Sequence, residues 1–271
     1  MSLTGIAKET VRIVEQGAYV APSGKTVSLR GAVERAVQGT VLYRPADFAQ
    51  LEVPAAPGGP MRVEVTPEKT GDASRRLIEK EGVERVLALN FASARNPGGG
   101  FLGGAKAQEE DLARCSALYA CLITQRDYYD VNRAESSLLY TDHIIYSPGV
   151  PFFRNEQLEL LEQPFHVSLI TAPAPNAGQM LRREPTAGPR IREVLHSRAL
   201  KVLRIAAQRG YRTLVLGAWG CGAFRNEPRD AVDAFSTALA ALSGAFERVV
   251  FAVYERNGDG PNLKAFRERF G

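Results

Sequence analysis

Residues 86–110, VLALNFASARNPGGGFLGGAKAQEE, decide how this chain is interpreted. The apolar run at 86–91 is typical of a buried strand. Three glycines follow at 98–100, and after a gap of seven residues Gln108, Glu109 and Glu110 stand at the start of a predicted helix. Glycines let the backbone approach a ligand, and a helix start adds the positive end of a dipole. The stretch therefore predicts an anion-binding loop beside two carboxylates that can transfer protons.

Patterns of strands and helices alternate through the rest of the chain. Period-2 or continuous apolar runs predict strands, and 3.6-residue periodicity predicts helices. The predicted strands are 62–65, 86–91, 143–146, 166–171, 213–216 and 249–254, with proline-bearing loops after 143–146 and after 166–171. The predicted helices are 72–80, 105–124, 189–208 and 228–242. Such alternation predicts an α/β sheet covered on both faces, with 62–65 as an edge strand.

The N-terminal part has a different organisation. Residues 3–16 form an amphipathic pattern, and residues 19–29 indicate a hairpin. The Pro/Gly-rich loop 53–60 then marks the one predicted boundary. We expect an N-terminal extension, residues 1–55, packed on a catalytic domain of residues 56–271.

Composition favours an enzyme in a reducing compartment. The 271 residues are 45% hydrophobic, enough to bury a large core, and 34 Lys plus Arg against 30 Asp plus Glu give only +4. This small surplus predicts no direct nucleic-acid specificity. Three cysteines without CxxC spacing favour neither disulfides nor zinc, and no long apolar run indicates a membrane segment or leader. We expect a cytoplasmic protein.

A second glycine-rich loop, 217–224, also follows an apolar strand. Ligands of open α/β sheets bind beyond the carboxyl ends of the strands. Two such loops facing each other would suit a diphosphate. Each cluster alone is equally compatible with a flexible turn.

The paired motifs resemble those of a known family. Gly98-Gly99-Gly100, a seven-residue gap and Gln108-Glu109-Glu110 resemble the signature of poly(ADP-ribose) glycohydrolases of the short bacterial type, and 217–224 resembles their diphosphate-binding loop. The similarity runs from about residue 60 to 260. It implies a macrodomain-like three-layer α/β/α sandwich with a mixed sheet and an N-terminal helical and hairpin extension.

The resemblance also implies a reaction and assigns residues to it. Cleaving a ribose–ribose glycosidic bond requires a proton on the leaving oxygen while the anomeric carbon becomes oxocarbenium-like. By resemblance Glu110 is the general acid and base, while Glu109 and Gln108 hold ribose hydroxyls or neighbouring groups. One difficulty follows from the helix position, because a first-turn carboxylate is stabilised in its charged form whereas a general acid must arrive protonated.

Other side chains are assigned to substrate binding. Phe224 presses on the distal ribose by motif match, although an aromatic there also suits a core. Asn96 is either a ribose ligand or a turn residue, and Tyr254 either stacks on adenine or packs at the rim. The small Cys221 fits the loop rather than a nucleophile's role. The loop positions expected to contact substrate are Gly98, Gly99, Gly100, Gly217, Gly220, Cys221, Gly222 and Ala223.

Three functions remain open at this point. The leading one is hydrolysis of poly(ADP-ribose), or of ADP-ribosylated proteins, to ADP-ribose, without metal or other cofactor and as part of the DNA damage response. The others are a hydrolase of mono-ADP-ribosyl groups or O-acetyl-ADP-ribose, and a non-catalytic ADP-ribose reader. A reader would not need Gln108-Glu109-Glu110. The scattered histidines His143, His166 and His196 are expected to be structural, and Arg154 to pack or to touch phosphate.

Overall fold

The strands and helices alternate along the chain, as the sequence patterns predict. The structure, a computed structural model, describes residues 2–56, 58–256 and 258–271. Its strands are β1 (Ala18–Val20), β2 (Thr26–Ser28), β3 (Val41–Tyr43), β4 (Arg62–Thr66), β5 (Val86–Phe91), β6 (Ile144–Arg154), β7 (Leu160–Ala172), β8 (Thr213–Leu216) and β9 (Arg248–Ala252). Its α-helices are α1 (Leu3–Gln16), α2 (Arg30–Gln38), α3 (Thr70–Arg75), α4 (Gln108–Cys115), α5 (Leu118–Leu122), α6 (Arg126–Ala134), α7 (Ala177–Arg183), α8 (Gly188–Gln208), α9 (Pro228–Ala241) and α10 (Pro261–Phe270). None of the helices in these ranges has the length and apolar character needed to cross a membrane.

Seven strands form one mixed sheet in the order β3-β6-β7-β5-β8-β9-β4, while β1 and β2 pair in a separate hairpin. From β7 to β4 every neighbouring pair is parallel, and β6 runs antiparallel to both of its neighbours. The prediction that residues 62–65 form an edge strand is confirmed. Because β5 and β8 are adjacent and parallel, the loops that follow them leave from the same edge of the sheet.

The central strands are buried on both faces. Leu87 and Leu89 of β5 pack in one apolar cluster with α8, α9 and α10. Val86 and Ala88, which point the opposite way, pack in a second cluster with α3, α5 and α6. The expected three-layer α/β/α sandwich with a mixed sheet is confirmed.

The N-terminal segment supports the sheet and the helix that carries the carboxylates. Helix α1 ends at Gly17, whose left-handed conformation with φ of 71° caps the helix, and the predicted hairpin follows. The Thr10 hydroxyl of α1 donates to the Arg114 carbonyl of α4 at 2.7 Å. Strand β3 adds an edge strand to the main sheet. The division after residue 55 stays a prediction, and Pro57 of the predicted boundary loop lies outside the described residues.

The prediction of one continuous helix over 105–124 is wrong. Helix α4 ends at Cys115, and Ser116 takes an extended conformation that pairs with Phe152 of β6. The Ser116 hydroxyl donates to the Leu112 carbonyl at 2.7 Å and accepts from Leu118 N–H at 3.2 Å. Serine competes in this way with helix backbone bonds, which explains why the apolar periodicity alone missed the break.

The prediction that a strand ends at Tyr146, before a proline-bearing loop, is also wrong. Strand β6 continues to Arg154, and Pro148 and Pro151 lie inside it. The register with β7 shifts between Ser147 and Val150. A proline is tolerated in a strand at such an irregularity because no ladder hydrogen bond is required from it.

A buried cation holds the loops beside β7. Arg198 of α8 is 1% exposed and pairs with Asp142 at 2.8 Å. Its guanidinium also donates to the carbonyls of Leu139, Tyr140 and Pro173. One side chain thereby satisfies three loop carbonyls, so these loops depend on it.

We expect Arg198→Met to lower the free energy of unfolding by about 3 kcal/mol, because buried carbonyls lose their donor and Asp142 loses its buried partner. Chemical denaturation measures this change. Lys201→Met is the control, since Lys201 pairs with the same carboxylate but bonds none of those carbonyls. An Arg198 variant no less stable than this control would contradict the account.

Candidate active site

The two glycine-rich loops follow neighbouring parallel strands and therefore leave the sheet at the same, carboxyl end. β5 and β8 pair with Val86 opposite Thr213 and Ala88 opposite Val215. At the base of the second loop, a Cβ on Gly217 would lie 3.0 Å from the Phe91 ring and 2.5 Å from the Ala252 carbonyl oxygen. The second loop therefore begins in contact with the last residues of β5 and β9.

The first loop is a series of tight turns. Gly99 N–H donates to the Asn96 carbonyl at 2.9 Å, and Phe101 N–H donates to the Gly98 carbonyl at 3.2 Å. The Phe101 ring is fully buried against Ala7 and Ala113, which anchors the loop between α1 and α4. Asn96 itself is exposed, and its backbone closes the first turn.

Glu110 joins this loop to the start of α4. One carboxylate oxygen accepts from Gly100 N–H at 2.9 Å, and the other accepts from Ala107 N–H at 3.1 Å. Ala107 is the N-cap residue of α4, so Glu110 satisfies a backbone donor that the helix leaves free. The side chain is half-buried at the loop surface.

Glu109 lies inside the protein. It is 2% exposed, and its carboxyl accepts from Asn90 Nδ2 at 3.1 Å and from Ser93 N–H at 2.7 Å. Burial raises the pKa of Glu109 to about 8, reinforced by the charge of Glu110 and opposed by these hydrogen bonds. Glu109 therefore holds a proton at neutral pH.

Gly99 brings the two carboxylates together. A Cβ at Gly99 would overlap the Glu110 carboxylate and lie 3.2 Å from Glu109 Oε2. Its φ of 59° is in the left-handed region. Although adjacent helix positions diverge, both side chains turn back to this one glycine, an arrangement that helical spacing does not predict.

A polar cluster behind Glu109 was not predicted from the sequence. Asn90 is fully buried, and its Nδ2 also donates to Thr171 Oγ1 at 3.1 Å. The rings of Tyr128 and Tyr129 pack edge to face at 4.7 Å, and burial, with a contribution from Glu109, raises the pKa of both phenols well above the usual value. The one available signal was a polar Asn90 in an otherwise apolar strand.

Gln108 holds the start of α4 against β5. Its Oε1 accepts from Phe91 N–H at 2.8 Å, and its Nε2 donates to the Leu89 carbonyl at 2.7 Å and to Thr70 Oγ1 at 3.0 Å. The amide thus continues the strand's hydrogen bonding beyond the sheet. Gln108 thereby fixes the position from which Glu109 and Glu110 project.

The second loop is rigid at its base and exposed at its tip. Trp219 is fully buried and donates from Nε1 to the Ala172 carbonyl at 3.2 Å. Asn226 Nδ2 donates to the Gly220 carbonyl at 3.0 Å, which closes the loop. Gly222 and Ala223 at the tip are exposed. Backbone groups at the tip are accessible to a ligand.

Phe224 lies at the end of this loop beside Tyr140, with the ring centroids 5.9 Å apart. The Phe224 carbonyl accepts from Gly178 N–H at 2.9 Å. Tyr140 and the neighbouring Arg225 have positive φ values of 59° and 55°. Such strained backbone conformations concentrate at functional sites.

Cys221 has the properties of a loop residue. Burial raises the pKa of its thiol to about 12, so it is not a thiolate. All three cysteines are free.

Tyr254 and Arg154 have different surroundings. Tyr254 is 55% exposed after β9, and the ammonium of Lys69 lies 5.4 Å from its ring centroid. Arg154 is 4% exposed and pairs with Glu9 at 2.6 Å, which ties β6 to α1 and makes it a packing residue.

Burial lowers the pKa of His143 and His166, in keeping with structural roles.

Comparisons with known proteins agree with this geometry. The family model of the microbial-type PARG (poly(ADP-ribose) glycohydrolase) catalytic domain matches residues 7–155. The PARG of Thermomonospora curvata is 45% identical, with 99% of each chain covered and a TM-score of 0.92. A structure of that protein bound to the inhibitor ADP-HPD has the same identity and coverage and a TM-score of 0.90. The PARG of Deinococcus radiodurans in complex with ADP-ribose is 46% identical over 90% of this chain and 98% of that one, with a TM-score of 0.82. Curated proteins give no match.

We expect Gly99→Ala to lower the free energy of unfolding by about 1–2 kcal/mol, because alanine disfavours the left-handed region and its Cβ displaces Glu110. Denaturant titration measures the loss. Gly103→Ala is the matched control in the same loop, since a Cβ there has no neighbour within 4 Å. Equal stabilities of the two variants would argue against this packing.

We expect Glu109→Gln to become more stable relative to the wild type as pH rises from about 5 to 8. The wild type gains stability from its bound proton at low pH and loses it as pH rises through the folded-state pKa, at up to about 1.4 kcal/mol per pH unit. The unfolding free energy of the wild type is subtracted from that of Glu109→Gln at each pH, which cancels the contributions of the titrating groups that the two proteins share. A difference that does not vary with pH would contradict the assignment.

Proposed function

The chain belongs to the microbial-type poly(ADP-ribose) glycohydrolase family, and we propose that Glu110 is the general acid and base of its reaction. The reaction cleaves ribose–ribose glycosidic bonds in poly(ADP-ribose) and releases ADP-ribose. The leaving oxygen needs a proton as the anomeric carbon becomes oxocarbenium-like, and a water must then be deprotonated.

The observation that carries this proposal is the contrast between two adjacent carboxylates at one glycine. Glu109 is buried and bonded to Asn90 and Ser93, whereas Glu110 lies half-buried at the surface of the anion-binding loop. Glu110 is the one that substrate can reach without rearrangement of the core. We assign Glu109 and Gln108 to holding the ribose hydroxyls or the groups next to them.

The helix dipole stabilises the charged form of Glu110, whereas a general acid must be protonated. The arrangement of Glu109 and Glu110 suggests how this difficulty is overcome. In the free protein burial raises the pKa of Glu109 and so favours its protonated form. The Gly100 N–H donates a hydrogen bond to the Glu110 carboxylate, and a bound diphosphate would compete for this donor. Loss of this donor favours protonation of Glu110, so the acid forms when substrate binds.

Substrate contacts follow from the two loops. We place the diphosphate between Gly98–Gly100 and the exposed tip at Gly222 and Ala223, with Gly217, Gly220 and Cys221 shaping that loop. Phe224 contacts the distal ribose, where the strained Tyr140 supports it. The exposed Asn96 is placed at a ribose hydroxyl and the exposed Tyr254 at the adenine. Relatives solved with ADP-ribose and ADP-HPD support a site for this ligand.

The cellular setting stays a prediction. Three free cysteines suit a reducing compartment, which supports the cytoplasm. A part in the DNA damage response rests on the family alone.

The test compares wild type with Glu110→Gln on labelled poly(ADP-ribose), with products separated by chromatography. We expect wild type to release ADP-ribose and the variant to be slower by at least about 100-fold, the usual contribution of a general acid. Glu84→Gln is the matched control, an exposed glutamate before the amino end of β5.

Binding without turnover by all proteins would favour an ADP-ribose reader. Turnover of mono-modified protein alone would favour the mono-ADP-ribosyl hydrolase. Equal polymer turnover by wild type and Glu110→Gln would remove Glu110 from the mechanism while leaving the activity in place.

A further inference from the structure

A cleft lies beside the start of the first glycine-rich loop, which we call the catalytic loop. Pro97, Ile123, Arg126, Tyr129, Asp130 and Arg133 line an open volume of about 400 Å³. Pro97 directly precedes Gly98, and Arg133 donates to the Arg95 carbonyl at 2.9 Å, which fixes α6 against the loop. A ligand in this cleft would lie alongside the catalytic loop.

The walls of the cleft combine apolar surface and positive charge. Ile123 is 44% exposed and, with Pro97, supplies the accessible apolar surface, whereas the Tyr129 side chain is only 1% exposed. The Arg126 guanidinium has no carboxylate within ion-pair distance in the part of the chain that the structure describes. Asp130 is paired with Arg133 at 2.6 Å, so it does not neutralise Arg126.

This chemistry fits a nucleoside that carries phosphate. Ligand sites of this size bury apolar groups and use a few placed polar groups for orientation. A guanidinium suits phosphate oxygens, and an aliphatic wall suits the apolar face of a base. The proposed reaction supplies such a group, because the ribose on the leaving side of the scissile bond belongs to the preceding ADP-ribose unit.

We propose that this cleft binds the penultimate ADP-ribose unit of the polymer, with Arg126 contacting its diphosphate and Ile123 and Pro97 packing against its adenosine. The inference rests on the proposed function for the identity of the polymer. It implies that α6 and the turn before it add affinity for the polymer that a single ADP-ribosyl group does not receive.

The test measures binding of labelled polymer to Glu110→Gln protein, in which turnover is suppressed, with and without Arg126→Ala. We expect Arg126→Ala to weaken polymer binding about fivefold, as for a partly solvated ion pair, and to leave binding of free ADP-ribose unchanged. The slope of log affinity against log salt should fall by about 0.7 for each phosphate group that the variant no longer neutralises. Arg62→Ala is the matched control, since Arg62 is an exposed arginine at the amino end of β4, the opposite edge of the sheet.

Unchanged polymer affinity and salt slope in Arg126→Ala would overturn the proposal. So would equally weakened polymer binding in Arg62→Ala, or free ADP-ribose binding that is weakened as much as polymer binding. Release of ADP-ribose from polymer by wild type is measured separately, so failure of the hydrolase assignment is distinguishable from failure of this cleft.

Discussion

The bond from Gly100 N–H to the Glu110 carboxylate is the contact on which the site depends. It joins the glycine loop to the first turn of α4 and fixes where anion-binding backbone and acid meet. Gln108 extends the ladder of β5 to the same helix turn, so sheet, helix and loop hold one another in register. Glycine at position 99 is required because any side chain there would occupy the space of the carboxylates.

This arrangement places a protonated carboxyl behind an accessible one. Burying Glu109 is costly, and the structure offsets part of that cost with donors from Asn90 and Ser93. The raised pKa of Glu109 shows that the compensation is incomplete and that burial favours the protonated form of this carboxyl. Two identical residue types are thus separated by environment, the general way in which enzymes divide acid and base roles.

The part of the sheet that carries the site could be predicted from the sequence because β5 and β8 are short apolar runs followed by glycine-rich loops. The runs at 86–91 and at 213–216 are apolar throughout most of their length, and each is followed by a glycine-rich loop. The break at Ser116 could not be predicted, since it depends on pairing with Phe152, a residue distant in the chain. The sequence also could not show that Pro148 lies inside a strand, because this depends on the register shift between β6 and β7 at that position.

For the site, residue types and spacing located the loops and acids, but not the convergence of Glu109 and Glu110 on Gly99. Helices α1 and α6, which lie outside the recognised motifs, hold the segments on either side of that convergence. Thr10 of α1 holds the end of α4, Phe101 fills the space between them, and Arg133 of α6 holds the loop at Arg95. The same α6 then forms the wall of the cleft beside Pro97. The helix that stabilises the catalytic loop is therefore also placed to recognise what lies beyond the scissile bond.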